Sequence, residues 1–277
     1  MAVYGDGKTY DPYTMPYRES HILLNDTDID RLERIELYKY VSFSTLKKIL
    51  KQGKIFVNRV VDSWDDCYEN FFLKCHFESK EGEIDPKSFI NGIYGISLTT
   101  MSESDAMWRI YSNDKLGVRI KTNAKKLFDA IYIDDECMAN TWFGNVNYNT
   151  MDEFEKIISK KITESSNTIE VFNNIFPETE FMKRKEFEHE REFRVIVMLD
   201  SKQTRTYSHI KRLAFSINTD DFIEEYCLDP RLQDIEYNTQ KEELIKLGAD
   251  KNKITQSSLY KFMPFTFNVE MNPKNKI

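Results

Sequence analysis

Residues 187–199 read FEHEREFRVIVML, and this stretch decides how the rest of the chain is interpreted. Within Arg191 to Leu199, polar and apolar side chains alternate from Glu192 to Val195 and an apolar run continues to Leu199, and most of the apolar positions are β-branched or aromatic. A period of two with such residues is typical of a β-strand that has one face in a core. The stretch therefore predicts a strand, and with it a sheet-containing fold.

The charged side chains of this strand are spaced by two residues. If the strand begins early, Glu188, Glu190, Glu192 and Arg194 point to one face. The other face would carry Phe187, Phe193, Val195 and Val197. Three like charges on one strand face repel unless they are compensated. Arg194 and the nearby Lys183 and Lys185 are candidates for that compensation. The pattern is compatible with a solvated edge strand or with a pair of carboxylates at the mouth of a cleft.

Outward from this strand, the sequence predicts a mixture of strands and helices. Strands are expected over residues 37–41, 54–59, 93–98, 116–120, 145–148 and 214–217. Helices are expected over residues 45–52, 64–77, 103–111, 125–130, 151–176, 181–188, 220–225 and 240–248. Because the elements alternate early and segregate later, we predict an α+β fold, a single mixed domain with a central β-sheet core flanked by helices. The domain is expected to span residues 31–263, between an N-terminal arm (1–30) and a polar C-terminal tail (264–277).

The composition excludes several classes of protein. Apolar residues make up 40% and charged residues 31% of the 277 residues, a mixture too apolar for a disordered chain. The N-terminus lacks the features of a signal peptide and no stretch is long enough to span a membrane, so we expect a cytoplasmic protein with no membrane partner. The net charge of −7 argues against a bulk electrostatic DNA binder. A specific nucleic acid held in a small basic groove stays open.

Five separated motifs occur in a recognisable order. They are Leu37-Tyr38-Lys39-Tyr40, Trp64-Asp65-Asp66-Cys67-Tyr68-Glu69, Tyr94-Gly95-Ile96-Ser97, Met107-Trp108-Arg109-Ile110-Tyr111 with Gly117-Val118 after it, and Phe187 with Glu190, Glu192 and Arg194. Together they resemble the bacterial family known as domain of unknown function 2971, over about residues 37–230. The layout is also similar, more remotely, to that of ADP-ribosyltransferases, which implies an ADP-ribosyltransferase-like fold and NAD as a substrate.

The resemblance to ADP-ribosyltransferases implies roles for individual residues. Glu192, or Glu190, would be the catalytic carboxylate, and Lys39 would stand where those enzymes have His or Arg. Arg194 would either clamp the diphosphate or neutralise Glu192. The remaining NAD-binding candidates are polar residues of the second motif and aromatic residues that could stack on nicotinamide, namely Asn58, Ser97, Thr99, Tyr40, Trp108 and Tyr111.

The first strand imposes a constraint on two of these candidates. Strand alternation sends Lys39 to the face opposite Tyr38 and Tyr40. Lys39 and Tyr40 should therefore not both be functional unless the strand is bulged or ends between them. We favour Lys39 in the cleft.

The function that the resemblance implies is NAD-dependent ADP-ribosylation of a macromolecule, a nucleic acid or a protein. By analogy the protein would be a toxin or a phage-defence effector, with an antitoxin or another protein as partner. One alternative is a metal-dependent nuclease or phosphodiesterase built on Asp62, Asp65, Asp66 and Glu69 together with the Glu190–Glu192 pair. A second is a non-catalytic binding module. A requirement for NAD, for a divalent metal or for neither would distinguish the three, and no metal-binding residue is assigned.

Overall fold

The computed structural model describes residues 21–24, 29–64, 66, 68–80, 82–86, 92–131, 139–165, 167, 171, 175–199 and 210–268. Most of the predicted N-terminal arm, Asp65 and the end of the predicted tail lie outside this range. The described residues form a central mixed sheet flanked by helices, so the predicted α+β class is confirmed. None of the helices in these ranges has the length and apolar character needed to cross a bilayer.

The strands are numbered in chain order. They are β1 (His21–Leu24), β2 (Glu36–Val41), β3 (Lys54–Arg59), β4 (Phe77–Ser79), β5 (Gly82–Ile84), β6 (Ile93–Thr99), β7 (Val118–Asn123), β8 (Ala139–Asn145), β9 (Asn147–Asn149), β10 (Met182–Arg184), β11 (Glu192–Leu199), β12 (Arg212–Ser216), β13 (Glu225–Leu228) and β14 (Ile254–Gln256).

The longer helices are likewise numbered in chain order. They are α1 (Phe43–Gln52), α2 (Asp105–Tyr111), α3 (Ala124–Ala130), α4 (Met151–Glu164) and α5 (Asp234–Lys246). Single α-helical turns occur at Phe176–Thr179 and Thr219–Phe222, and 3₁₀ turns include Phe71–Lys74 and Lys185–Glu190.

Local signals explain where the first helix begins and ends. Ser42 precedes α1 and its side chain accepts a hydrogen bond from the backbone N–H of Thr45. Gly53 follows α1 with a φ of 59°, and its N–H donates to the carbonyl of Ile49. Glycine adopts this left-handed conformation without the steric cost that a Cβ would bring.

The main sheet has the order β1-β8-β11-β6-β2-β7-β13-β14. Strand β3 joins it by pairing with β6, and β12 pairs with the outer edge of β3. Strand β11 is antiparallel to both of its neighbours, β6 and β8. The strand that the alternating pattern predicts is therefore central, not the solvated edge strand that was one of its two interpretations.

The two faces of the sheet pack against different layers. On one face, apolar residues of β2, β6, β7 and β11 form the main core with α1 and α3. On the opposite face lie two smaller clusters, one containing Trp142, Phe176 and Ile196, the other Tyr40 and Trp108. The space between these two clusters is where the functional candidates converge.

Several predicted elements differ from the structure. The aromatic stretch 64–77 contains a 3₁₀ turn, Phe71–Lys74, in place of the expected helix. Residues 181–188 contain β10 and the start of another 3₁₀ turn, also in place of a helix. The long helix predicted over 151–176 ends at Glu164. Tertiary pairing overrides local preference in these segments, as when Met182–Arg184 pairs with β9.

Candidate active site

Strand β6 has two different partners along one edge, and this divides the sheet. Near its start, Gly95 pairs with Asn58 of β3, whereas at its end Thr99 pairs with Tyr38 of β2. The opposite edge of β6 is occupied by β11 along its full length. Strands β2 and β3 therefore diverge from one another, and a gap opens between them beside residues 96–98.

Lys39 lies in this gap. Its Nζ donates a hydrogen bond of 2.7 Å to the carbonyl oxygen of Ser97, which lies on the part of β6 that faces the gap. Desolvation lowers the pKa of Lys39 to about 8, although the nearby carboxylate of Glu192 offsets part of the effect. The divergence of the strands allows Lys39 and Tyr40 to line the same space although they leave β2 on opposite faces.

A cleft of about 420 Å³ occupies this region, within the range typical of small-molecule sites. We call it the carboxylate cleft, after the acidic groups on its floor. Eight of the ten predicted site residues line it, and they come from β2, β3, β6, α2, the 3₁₀ turn Lys185–Glu190 and the start of β11. They are Lys39, Tyr40, Asn58, Ser97, Thr99, Tyr111, Glu190 and Glu192.

Glu192 forms the floor of the carboxylate cleft and is only 4% exposed. Arg194 binds it with a two-pronged ion pair, Nε to Oε1 at 2.7 Å and Nη2 to Oε2 at 2.8 Å. Burial alone would raise the pKa of Glu192, but Arg194, Lys183 and a hydrogen bond from Ser97 lower it to about 2. The carboxylate is therefore ionised and held in one orientation throughout the physiological pH range.

Lys183 lies at the centre of three carboxylates. Its Nζ is 2.7 Å from Glu190, 3.3 Å from Glu192 and 3.4 Å from Glu69. Burial would lower the pKa of Lys183, but the three carboxylates raise it overall. The compensation predicted for the glutamates of the strand is thus provided by Arg194 and Lys183, whereas Lys185 is exposed.

Glu190 reaches the carboxylate cleft by an unexpected route. Residues Lys185–Glu190 form a 3₁₀ turn, and Arg191 has a φ of 41°, so β11 begins only at Glu192. The prediction that Glu188 shares a strand face with Glu190 and Glu192 is therefore wrong, and Glu188 is exposed. The turn still brings Glu190 next to Lys183, and Tyr111 donates to Glu190 at 3.3 Å.

Thr99 and Ser97 have different roles in the geometry. The hydroxyl of Thr99 donates to the backbone carbonyl of Glu190 at 2.6 Å and accepts from the N–H of Met101. It therefore holds the turn before β11 against the end of β6. Ser97, by contrast, hydrogen-bonds the carboxylate of Glu192 itself.

Trp64 forms a wall of the carboxylate cleft that sequence reasoning missed. Its ring lies over the guanidinium of Arg194, 3.9 Å from the ring centroid, and so covers the ion pair with Glu192. Gly95 makes this close packing feasible, because a Cβ there would lie 2.6 Å from the Trp64 ring. The glycine of the Tyr94-Gly95-Ile96-Ser97 motif was the one feature of the sequence that could have indicated a large side chain packed against this strand.

Two predicted NAD-binding residues do not line the carboxylate cleft. Trp108 is fully buried, packs edge-on against Tyr40 with ring centroids 4.8 Å apart, and donates from Nε1 to Glu103. Arg194 is 1% exposed, and its guanidinium contacts Glu192, Glu69 and the carbonyl of Glu180. Of the two roles considered for Arg194, the ion pair with Glu192 corresponds to neutralisation, and the diphosphate clamp stays a prediction.

Three of the acidic residues proposed for a metal site are engaged with cations of the protein, and the fourth, Asp65, lies outside the described residues. Asp66 pairs with Arg184 at 2.8 Å, Asp62 pairs with Arg59 at 2.7 Å, and Glu69 pairs with Arg194. Within the described ranges no group of three His, Cys, Asp or Glu side chains is arranged to hold a metal ion. Where three carboxylates do converge, the ammonium group of Lys183 lies between them.

A family model provides one comparison with known proteins. The model of the protein family of unknown function DUF2971 matches residues 107–195, from α2 to the middle of β11. The predicted resemblance to this family is confirmed over that stretch, which includes Trp108, Tyr111, Glu190, Glu192 and Arg194. No curated protein matches the chain.

Solved structures provide a second comparison. The chain is similar to DarT of Thermus sp. 2.9 in complex with NAD+, with 12% identity, 81% of this chain and 96% of that chain covered, and a TM-score of 0.34. The same protein in complex with carba-NAD+ matches with 12% identity, 81% and 95% coverage, and a TM-score of 0.33. Its complex with ADP-ribosylated ssDNA matches with 12% identity, 80% and 94% coverage, and a TM-score of 0.34.

Proposed function

We propose that this chain is an NAD-dependent ADP-ribosyltransferase that modifies a macromolecule, a nucleic acid or a protein. The observation that carries the proposal is the ionised carboxylate of Glu192 on the floor of the carboxylate cleft, with an ammonium group and aromatic rings in its walls. Toxin activity, a role in defence and an antitoxin partner remain predictions from the resemblance.

The chemistry needs a fixed negative charge near ribose. When the bond between nicotinamide and the ribose C1′ breaks, the electron pair leaves with nicotinamide and C1′ develops positive charge. An oriented carboxylate stabilises that charge most effectively where water is excluded, for the same electronic reason that glycoside hydrolases use carboxylates. Glu192 meets both conditions, since it is buried and held by Arg194 and Ser97.

The walls of the carboxylate cleft supply groups suited to the rest of NAD. The ammonium of Lys39 can donate to a ribose hydroxyl or to a phosphate oxygen. Tyr40 and Tyr111 lie with ring centroids 6.3 Å apart and an interplanar angle of 27°, and Tyr111 is 45% exposed. An exposed ring of this kind offers a stacking surface to a planar heterocycle.

The test of the proposed function is transfer of label from NAD. The purified chain is incubated with NAD labelled in its ADP-ribose part, together with cell protein, single- and double-stranded DNA, or RNA. We expect label to become covalently attached to one class of acceptor and nicotinamide to be released in equal amount. A chelator should leave the reaction unaffected. Activity that ignores NAD and requires Mg²⁺ would move the assignment to the nuclease alternative.

Lys39 provides a prediction that depends on the proposed function. Replacing Lys39 by Ala should weaken NAD binding by roughly 1–3 kcal/mol, the scale of a lost charged hydrogen bond. Tyr40→Phe, at the neighbouring position, is the matched control and should leave the affinity for NAD nearly unchanged. The Tyr40 ring packs on Trp108, and loss of the hydroxyl group leaves that packing intact. Calorimetric titration with NAD measures both.

The same lysine predicts a pH dependence. Because the pKa of Lys39 is about 8, the ammonium is present below that pH and is lost as the pH rises through it. NAD affinity of the wild type should therefore fall between pH 7 and pH 9, whereas Lys39→Ala should show no such fall. If NAD affinity depended on pH in the same way in both proteins, Lys39 would not be part of the NAD-binding site.

A further inference from the structure

A second cavity, of about 250 Å³, lies between the sheet and helices α1 and α3. We call it the aliphatic cavity, because most of its wall is formed by branched aliphatic side chains. They include Val41, Ile49, Ile96, Leu98, Ile120 and Leu127. Protein interiors contain few voids larger than a water molecule, and an apolar cavity of about 150 Å³ already binds benzene. The aliphatic cavity therefore has room for a ligand larger than benzene.

The charged groups that line the aliphatic cavity are both cations. Lys39 and Arg212 line it, and among the residues that the structure describes no Asp or Glu does so. The carboxylate cleft differs, since Glu69, Glu190 and Glu192 line it together with Lys39 and Lys183. Two cations beside an apolar wall match a ligand with an anionic head and an apolar body.

A buried hydroxyl gives an independent indication of a ligand. Thr122 lines the aliphatic cavity and is 1% exposed, and within the described ranges its Oγ1 has no hydrogen-bond partner. A buried polar atom without a partner costs free energy, and native structures usually provide one. A ligand with acceptor oxygens would provide it here.

We propose that the aliphatic cavity binds a monocarboxylate with a medium-length aliphatic chain. The chain packs against the isoleucine and leucine side chains, and the carboxylate is bound by Lys39 and Arg212. Arg212 is exposed and so marks the end of the cavity at which such a ligand enters.

The aliphatic cavity adjoins the carboxylate cleft through the gap between β2 and β3. Lys39, Phe56 and Asn58 line both spaces. Because one ammonium group cannot bind two anions equally well, a carboxylate in the cavity should draw Lys39 away from the cleft. We therefore expect the monocarboxylate to weaken NAD binding, and this consequence, unlike binding itself, rests on the proposed function.

The experiment uses octanoate as the probe and needs no NAD. Calorimetric titration of octanoate into the full chain should show saturable binding at one site, and 1-octanol, which lacks the charge, should bind at least about tenfold more weakly. Ile49→Phe fills the cavity and should weaken octanoate binding by at least about tenfold. The matched control is Leu50→Phe, on the same helix and packed on the same core but outside the cavity lining, which should bind as the wild type does.

Each outcome decides the proposal. The absence of saturable binding, equal binding of octanol and octanoate, or unchanged binding by Ile49→Phe would overturn it. If Ile49→Phe does not fold, Arg212→Gln, an exposed substitution, must lower the affinity for octanoate and leave that for octanol unchanged. Octanoate binding without any NAD turnover would uphold this site and reject the proposed function, so the two failures are distinguishable.

Discussion

Replacing Glu192 by glutamine should abolish most ADP-ribose transfer while leaving a folded protein that binds NAD. The substitution keeps the shape of the side chain and removes the charge that opposes the developing positive charge at the ribose. Removal of one preorganised electrostatic group from an active site typically costs about 10²- to 10³-fold in turnover. The measurement is the rate of nicotinamide release and of acceptor labelling at saturating NAD.

The matched control for this substitution is Glu190→Gln. Both glutamates line the carboxylate cleft and both contact Lys183, but of these two it is Glu192 that forms the ion pair with Arg194. We therefore expect the smaller loss for Glu190→Gln. A soluble Glu192→Gln protein with full activity would exclude Glu192 as the catalytic carboxylate. If Glu190→Gln were inactive in the same experiment, Glu190 would be assigned that role instead.

Replacing Arg194 by methionine should have the largest effect on stability. The guanidinium is 1% exposed and holds Glu192 and Glu69, so its removal leaves these two buried carboxylates with Lys183 as their shared ion-pair partner. Breaking a buried ion pair by removing one partner costs about 3–5 kcal/mol. The free energy of unfolding, measured by urea denaturation at neutral pH, should fall by that amount.

An exposed arginine provides the control. Arg109 pairs with Asp105 on α2, and their side chains are 64% and 49% exposed. Arg109→Met should cost less than about 1 kcal/mol, as solvent-exposed pairs do. Equal losses for Arg109→Met and Arg194→Met would show that the buried network contributes little.

The pH dependence of stability offers a second test of the same network. The folded pKa of Glu192 is about 2, well below its ordinary value, so its contribution to stability is fully present above pH 4.5 and is lost as the pH falls towards 2. In Arg194→Met the carboxylate loses its main cation, and this part of the acid sensitivity should shrink.

Many of the elements could be predicted from the sequence because their signals are local. Alternation predicted β11, and the predicted strands at 37–41 and 93–98 correspond to β2 and β6. The cap at Ser42 and the stop at Gly53 were likewise readable, since each depends on hydrogen bonds within a few residues. The segments that failed, at 64–77 and 181–188, are short turns and a three-residue strand whose shapes depend on distant partners.

The candidate site likewise contains residues that the sequence could predict and residues whose positions depend on distant parts of the chain. Glu192, Ser97 and Lys39 were selected by motif, and all three line the carboxylate cleft. Trp108 was selected for the same reason and is buried beneath it, because motif spacing does not indicate which side of a helix faces a cavity. Trp64 was missed, since its position depends on the space that Gly95 leaves on another strand.

The sequence by itself determined the α+β class, the strand that carries Glu192 and Arg194, and the alternation that sets Lys39 opposite Tyr40. Only the tertiary structure decided that Lys39 and Tyr40 line one cleft, because the divergence of β2 and β3 along one edge of β6 is a long-range pairing. It also decided that Lys183 joins Glu69, Glu190 and Glu192. Glu69 is distant from the other three in the sequence, and Glu190 lies in a turn before β11. No periodic pattern in the sequence predicts that these four side chains meet.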